Sequence, residues 1–368
     1  MASTKPGHAL SRALGGEISR RGFLAGTAAA GLSVTALPNL GRAAEEEPKL
    51  NFYNWDTYIG PDTLENFQDK TGIAVRMDLY ANNSELFAKL KDGNPGYDVI
   101  VPGNDWLERM VAADMIMPLD HGEIPNFKHL SKRFQDAEFD PGRKHSMPYM
   151  WGTIGIGYRK SRVDGVPDSW KWLFDSDKYA GRIALLRDCR YYMGCALKYL
   201  GYSLNTTDLD QIKEAEALLI KQKPNLLTFA PDTGQRLLIE GAVDLTMEWN
   251  GDIGQVKAED PDIDYVVPRE GAIIWQDVLA IPKGAPHPNN AHRFINHILD
   301  PRVNARIAEF IRYATPNEGA KQYLPEDYLN SPITYPPAAA LDASEHVLYV
   351  GEDVIQAYEE SCTRIFAA

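Results

Sequence analysis

The chain has 368 residues, 44% of them hydrophobic, and a formal net charge of −13 at neutral pH. That length exceeds what one compact core usually fills and suits two domains. The acidic balance argues against nucleic-acid binding and favours attraction of cations.

The first informative stretch is Ser19-Arg20-Arg21-Gly22-Phe23-Leu24, a paired-arginine motif. An Ala/Gly-rich run through Leu37 and a small-residue cleavage signal at Gly41-Arg42-Ala43 follow it. The run is too short, and too rich in glycine and alanine, to span a membrane. Residues 1–43 therefore read as a twin-arginine export signal, and the mature protein is expected in the periplasm without inserting into a membrane. No cysteine lies near the cleavage point to carry a lipid anchor.

Leu50–Tyr53 then reads as a strand, Pro61–Lys70 as a helix and Ala74–Leu79 as a strand. Ser84–Leu90 reads as a helix and Tyr97–Pro102 as a buried strand stopped by Pro102-Gly103. This β-α-β-α-β succession predicts a mostly parallel sheet with helices on both faces, and ligands of such sheets collect beyond the carboxyl ends of the strands. Trp55-Asp56 follows the first strand and Asp105-Trp106 the third. An indole face beside a carboxylate suits an organic ammonium ion, because the ring attracts the cation and the acid accepts its N–H bonds. As a count such pairs are close to chance in so acidic a chain, so their placement carries the weight.

Ser146–Tyr158 is apolar and extended, and its glycines 152, 155 and 157 suit a strand twisting between domains. A strand near Ile183–Leu186 and helices over Asp188–Leu200 and Asp208–Gln222 come next. Asp244–Trp249 reads as a strand running into the turn Asn250-Gly251-Asp252. In the extended run Ala272–Pro282, a period of two puts Trp275 and Asp277 on one face. Helices follow over Asn289–Leu299, Pro301–Ile311 and about Asp353–Ile365.

Motifs of catalysis are missing from this pattern. There is no G-x-S-x-G elbow, phosphate-cradling glycine loop, H-E-x-x-H or C-x-x-C. Asp260-Pro261-Asp262-Ile263-Asp264 imitates a calcium loop but lacks its glycine and its closing glutamate, and reads as a solvated turn. The three cysteines, Cys189, Cys195 and Cys362, permit one disulfide and leave a thiol over. Neither a metal nor a cofactor is expected. Asn205-Thr206-Thr207 is formally a glycosylation sequon, incidental in a protein with a bacterial export signal.

Six segments carry a family resemblance: Tyr53–Ile59, Asp98–Pro102, Met147–Gly152, Leu200–Asp208, Trp249–Gly251 and Arg312–Asn317. In order, they resemble the periplasmic spermidine/putrescine-binding proteins of ABC importers. The resemblance implies an α/β fold of the type II periplasmic-binding-protein kind: two lobes with mixed, mostly parallel sheets, joined by extended hinge crossings and closing on a ligand. The implied division is 44–152 plus 276–311 for one lobe and 153–275 plus 312–368 for the other. It also implies a monomeric receptor that hands a small amine to ABC permease subunits, and no enzyme.

Carried over residue by residue, the resemblance makes Trp55 and Tyr58 one aromatic wall and Trp249 and Trp275 the opposing rings. Asp277 becomes the central carboxylate, Asp252 and Asp188 further acids, and Tyr313 a closing tyrosine. Tyr191 stands where the family has a glutamate, and Asp56 and Asp105 are acids where the family has none. Arg187, beside Asp188, raises an alternative: a carboxylate held by a guanidinium fork and an ω-amino acid such as 4-aminobutyrate as ligand. A second alternative, from another class, is an exported carbohydrate-active hydrolase using paired acids such as Asp252 and Asp277.

Overall fold

A computed structural model describes residues 46–231 and 233–368, so the export signal read at residues 1–43 lies outside the described residues. The first strand, β1 (Lys49–Trp55), sends Leu50 and Phe52 into a core with Phe67 and Phe294. It sends Tyr53 the other way, among Tyr80, Leu86 and Ile100. A strand buried on both faces is the mark of a parallel sheet covered by helices. Helix α1 (Thr63–Thr71) ends on Gly72 in the left-handed region (φ 73°), and β2 (Ala74–Tyr80) pairs parallel to β1. Helix α2 (Asn83–Lys91) starts where the Asn82 side chain accepts the Glu85 N–H.

Strand β3 pairs only over Val99–Ile100, shorter than the sequence predicts. The reason is local: the Val101 carbonyl is taken by side chains, Trp55 Nε1 at 2.9 Å and the Tyr80 hydroxyl, instead of by a neighbouring strand. Pro102 brings no N–H to a ladder. Helix α3 (Asn104–Ala112), absent from the sequence reading, then begins behind Gly103.

The long strand β4 (Ser146–Arg159) joins the two halves of the sheet. It runs antiparallel to β9 (Ile273–Ala280) from Ser146 to Ile154, and then beside β7 (Leu245–Trp249) and β8 (Ile263–Val266). Its glycines work by size more than by twist. A Cβ on Gly152 would sit 2.5 Å from Cζ2 of Trp275, one on Gly155 2.6 Å from the Tyr265 hydroxyl, and one on Gly157 2.5 Å from Cδ1 of Ile253.

Beyond β4 come a single turn, α4 (Lys171–Phe174), strand β5 (Ile183–Leu186) and helices α5 (Cys189–Tyr199) and α6 (Leu209–Gln222). Strand β6 (Leu226–Ala230) and helix α7 (Gly234–Ile239), neither of them expected from sequence, complete a parallel unit with β5, which was. Helix α8 (Asn250–Glu259) starts at the end of β7. Asp260 and Asp262, expected in a solvated turn, clamp Arg159 of β4 at 2.8 and 3.1 Å, and β8 begins directly after them. Helices α9 (Pro288–Ile298) and α10 (Pro301–Ile311), short helices α11 (Glu326–Leu329) and α12 (Ala338–Asp342), strand β10 (Glu345–His346) and helix α13 (Glu352–Ala367) finish the chain.

The sheet order is β2-β1-β3-β9-β4-β7-β5-β6, with β10 on β9 and β8 on β4. Its two flanks are parallel and its centre, where β4 and β9 cross, is antiparallel. One core gathers β1, α1, α9 and α10, together with Ala320, Leu324 and Tyr328. Another gathers β5, β7, α5, α6 and α13.

Cys189 and Cys362 form a disulfide with Cα atoms 6.0 Å apart, tying α13 to the start of α5, while Cys195 is a buried free thiol. The bridge closes a loop across 173 positions of sequence, so it restricts the unfolded chain strongly. Replacing both cysteines by serine is expected to cost about 2–4 kcal/mol. Urea unfolding of the variant beside the oxidised wild type measures this as a lower midpoint.

Candidate functional site

The turn after β1 sets one wall. Thr57 has φ 53°, uncommon for a β-branched residue, and the turn is held on both sides. Asn54 Nδ2 donates to the Tyr58 carbonyl at 3.0 Å, and the Tyr149 hydroxyl donates to the same oxygen at 2.7 Å. So fixed, the Tyr58 hydroxyl donates to Asp277 Oδ2 at 2.8 Å. Trp55 is held by its bond to Val101 and by a ring contact with Tyr80 at 4.6 Å.

Trp249 at the end of β7 and Trp275 on β9 form the facing wall, with ring centroids 5.7 Å apart and planes nearly perpendicular. Edge-to-face contacts extend it in both directions. Tyr191 meets Trp249 at 5.5 Å, Tyr313 meets Trp275 at 4.8 Å, and Tyr313 reaches Tyr58 at 6.0 Å. The result is a continuous aromatic lining from Tyr191 to Tyr58, built from both cores. Each ring pair of this geometry adds about 0.5–1.5 kcal/mol beyond its area. Close approach depends on glycine again: Gly152 lies under Trp275, and a Cβ on Gly251 would overlap the Tyr313 ring.

The acids occupy particular places on the elements. Asp105 is in the first turn of α3, Asp188 is the N-cap of α5 and accepts the Tyr191 N–H at 3.3 Å, and Asp252 is in the first turn of α8. Helix N-termini favour carboxylates, and here three of them deliver acids to one region. Asp252 accepts from the Tyr313 hydroxyl at 3.1 Å. Asp277 projects from β9, opposite the irregularity that Pro148 introduces into β4.

The charge of Asp188 reaches Asp105, and that of Asp105 reaches Asp277. Burial first, and then the charge of Asp188, push the Asp105 carboxyl up to about 7. Burial raises Asp277 to about 7 against the Tyr58 hydrogen bond that lowers it, and Asp105 adds to the rise. Asp188 rises to about 6, again by burial. Its side chain is solvent-exposed although protein crowds around it, and its rise is the smallest of the three. Burial, reinforced by all three acids, pushes the Tyr191 hydroxyl well above its usual range. The arrangement gathers acids beside aromatic rings, with the charge of Arg190 opposing two of them. It suits a cation.

Most of the residues picked from sequence meet here: Trp55, Tyr58, Asp105, Asp188, Tyr191, Trp249, Asp252, Trp275, Asp277 and Tyr313. Asp56 stays exposed in the turn after β1, and its charge is not among those that perturb the three acids. Arg187 does not join them either. It is exposed and lays its guanidinium over the Phe366 ring at 5.6 Å. Arg190 turns its donors to the Leu204 carbonyl and to Asn205 and stacks on Tyr358 at 4.3 Å, and only its charge reaches Asp105 and Asp188. Sequence reasoning missed Tyr80, Asn83 and Tyr149. Tyr80 and Tyr149 orient the first wall, and Asn83 Oδ1 accepts the Gly103 N–H at 3.1 Å. The aromatic at the end of β2 was the one available signal, for Tyr80. Among the described residues, no group of three or more His, Cys, Asp or Glu is arranged to hold a metal ion.

Known proteins share this organisation. The sequence model for the bacterial extracellular solute-binding protein family matches residues 62–336. The spermidine/putrescine-binding periplasmic protein of Escherichia coli K12 is 36% identical over 329 residues, covering 89% of this chain and 92% of that protein. The putrescine-binding periplasmic protein SpuD of Pseudomonas aeruginosa is 36% identical over 312 residues, covering 80% and 85%. Among solved structures, the spermidine/putrescine ABC transporter substrate-binding protein of Streptococcus pneumoniae superposes with a TM-score of 0.80 at 32% identity, covering 87% of this chain and 98% of that one.

Proposed function

From the premise that the chain belongs to the bacterial extracellular solute-binding protein family, we propose that it is the periplasmic receptor of an ABC importer for putrescine- and spermidine-type cations. It is a binding protein and not an enzyme. The observation that carries the ligand class is the group Asp105, Asp188 and Asp277, drawn up in pKa and lined by the rings from Tyr191 to Tyr58. Methylene segments of a polyamine fit against the indole faces, and its ammonium groups supply countercharge to the acids. The ω-amino-acid reading has no comparable support, since Arg187 faces Phe366.

On this reading the two cores are lobes that close on the ligand as a monomer and present it to permease subunits. Residues 320–328 belong with the first lobe and α13 with the second, and β4 and β9 are the crossings. The twin-arginine segment, residues 1–43, delivers the folded protein to the periplasm.

Binding should be linked to protons, with a definite sign. In the empty site the acids titrate near 6–7. A bound ammonium favours their charged forms and lowers them, so binding below pH 7 releases protons and affinity rises from pH 5 to pH 7.5. Groups raised in the folded state stabilise it below their unfolded value, and that contribution is lost as pH rises through 6–7. The ligand restores it. Putrescine or spermidine is therefore expected to raise the melting temperature, and by more at pH 7.5 than at pH 5. No shift with either amine at pH 7.5 would overturn the proposal.

A further inference from the structure

Resting on the amine-binding reading, we propose that Asp105 and Asp277 jointly hold one primary ammonium group, and that Gly103 is the position that permits it. Gly103 ends the β3 edge, bridges to Asp277 across the sheet and caps α3, in whose first turn Asp105 lies. A Cβ built on this glycine would lie 3.4 Å from Oδ1 of Asp105 and 3.8 Å from Oδ1 of Asp277. Both oxygens thus border the space that the glycine leaves without a side chain. The other oxygen of Asp277, Oδ2, is already occupied by the Tyr58 hydroxyl at 2.8 Å, so Oδ1 is the atom presented to a ligand.

Two carboxylate oxygens near one small space suit a nitrogen that donates to both at about 2.8 Å. A primary ammonium has three N–H groups and can bridge them while keeping one donor. A tertiary ammonium has a single N–H and surrounds its nitrogen with carbon, so it can satisfy one of the two oxygens and not both. The pair therefore selects for the unsubstituted amine end.

Other charged groups face Asp105 without duplicating this role. Asp188 and Arg190 approach from α5 with opposite charge, and burial of Glu108 on the same helix leaves that acid raised to about 7, where its own carboxylate accepts the Tyr349 N–H at 2.8 Å. None of these three is among the groups nearest the Gly103 space, where Asn83 Nδ2 comes closest, 3.2 Å from the Cβ position. The backbone of Gly103 has φ −65° and ψ 159°, open to any residue, so a side chain there strains no backbone and has only that Asn83 amide to move besides the two acids.

The test is calorimetric titration of putrescine and of N,N,N′,N′-tetramethylputrescine into the full mature chain, as wild type, Asp105→Asn and Gly103→Ser. Wild type should prefer putrescine strongly. Asp105→Asn is expected to weaken putrescine at least tenfold, to cut the preference over the tetramethyl compound about tenfold, and to release fewer protons at pH 6.5. Gly103→Ser, which fills the space, should weaken putrescine several-fold with the unliganded melting temperature unchanged. Wild-type preference and proton release in Asp105→Asn, or wild-type affinity in Gly103→Ser, would overturn the joint grip while leaving the receptor assignment intact. Failure of the wild type to bind either compound would instead defeat the amine-receptor reading, and this inference with it.

Discussion

Asp277→Asn is expected to raise the dissociation constant for putrescine by about a hundredfold or more, the largest single loss at this site. Removing one partner of a desolvated, charge-assisted contact costs about 2–5 kcal/mol, because the buried ammonium left behind keeps its desolvation penalty. Asparagine preserves shape, and its carbonyl oxygen still accepts from the Tyr58 hydroxyl that now donates to Oδ2 at 2.8 Å. The fold should therefore survive. In the unliganded protein at pH 8 the variant should be as stable as wild type or more so, since Asp277 is an acid that burial penalises when ionised. A binding residue that costs stability when empty is the expected trade at a functional site. Titration calorimetry with parallel thermal melts separates the two effects. Near wild-type affinity would show that the ammonium is gripped elsewhere.

Gly152→Val is expected to damage stability and binding together. The position lies in the middle of β4, opposite Trp275, and a Cβ there would come within 2.5 and 2.8 Å of Cζ2 and Cε2 of that indole. A branched side chain in that space would have to displace both that ring and Asn250 Oδ1, which would lie closer still to the Cβ and accepts the Thr153 N–H. Overpacking of this kind costs about 1–3 kcal/mol. The displaced indole should also break the edge-to-face contacts with Trp249 and Tyr313, at 5.7 and 4.8 Å, and lower amine affinity by about tenfold or more. Chemical denaturation and titration calorimetry on one preparation measure both. A variant that keeps wild-type affinity would mean that the position of Trp275 does not control the site.

The apolar strands, the acid-and-tryptophan pairs at their ends and the long run through Met147–Tyr158 were legible in sequence because their signals are periodic or local. The β5–β6 unit was only half legible. In β6, Leu227 and Thr228 are exposed, so Leu226–Ala230 lacks the buried run that marks β5. Helix α3 was missed because its buried residues Asn104, Leu107 and Met110 include a polar one at the start. Arg187 could be noticed in sequence as a candidate carboxylate partner, but its direction depends on Phe366, which lies 179 positions later.

Sequence alone therefore determined the α/β alternation, the acidic and aromatic character of the site and the family resemblance. These rest on periodicity, composition and residue order, which need no knowledge of distance. Tertiary structure alone decided which acids meet. Asp105, Asp188 and Asp277 come from two helix starts and a crossing strand, and their pKa values rise because folding surrounds them with protein and, for Asp105 and Asp277, brings a like charge near. It also gave the glycines of β4 their task as spaces for the side chains of Trp275, Tyr265 and Ile253, and left Asp56 in solvent. Desolvation and Coulomb repulsion depend on separation in space, and no local window of sequence contains it.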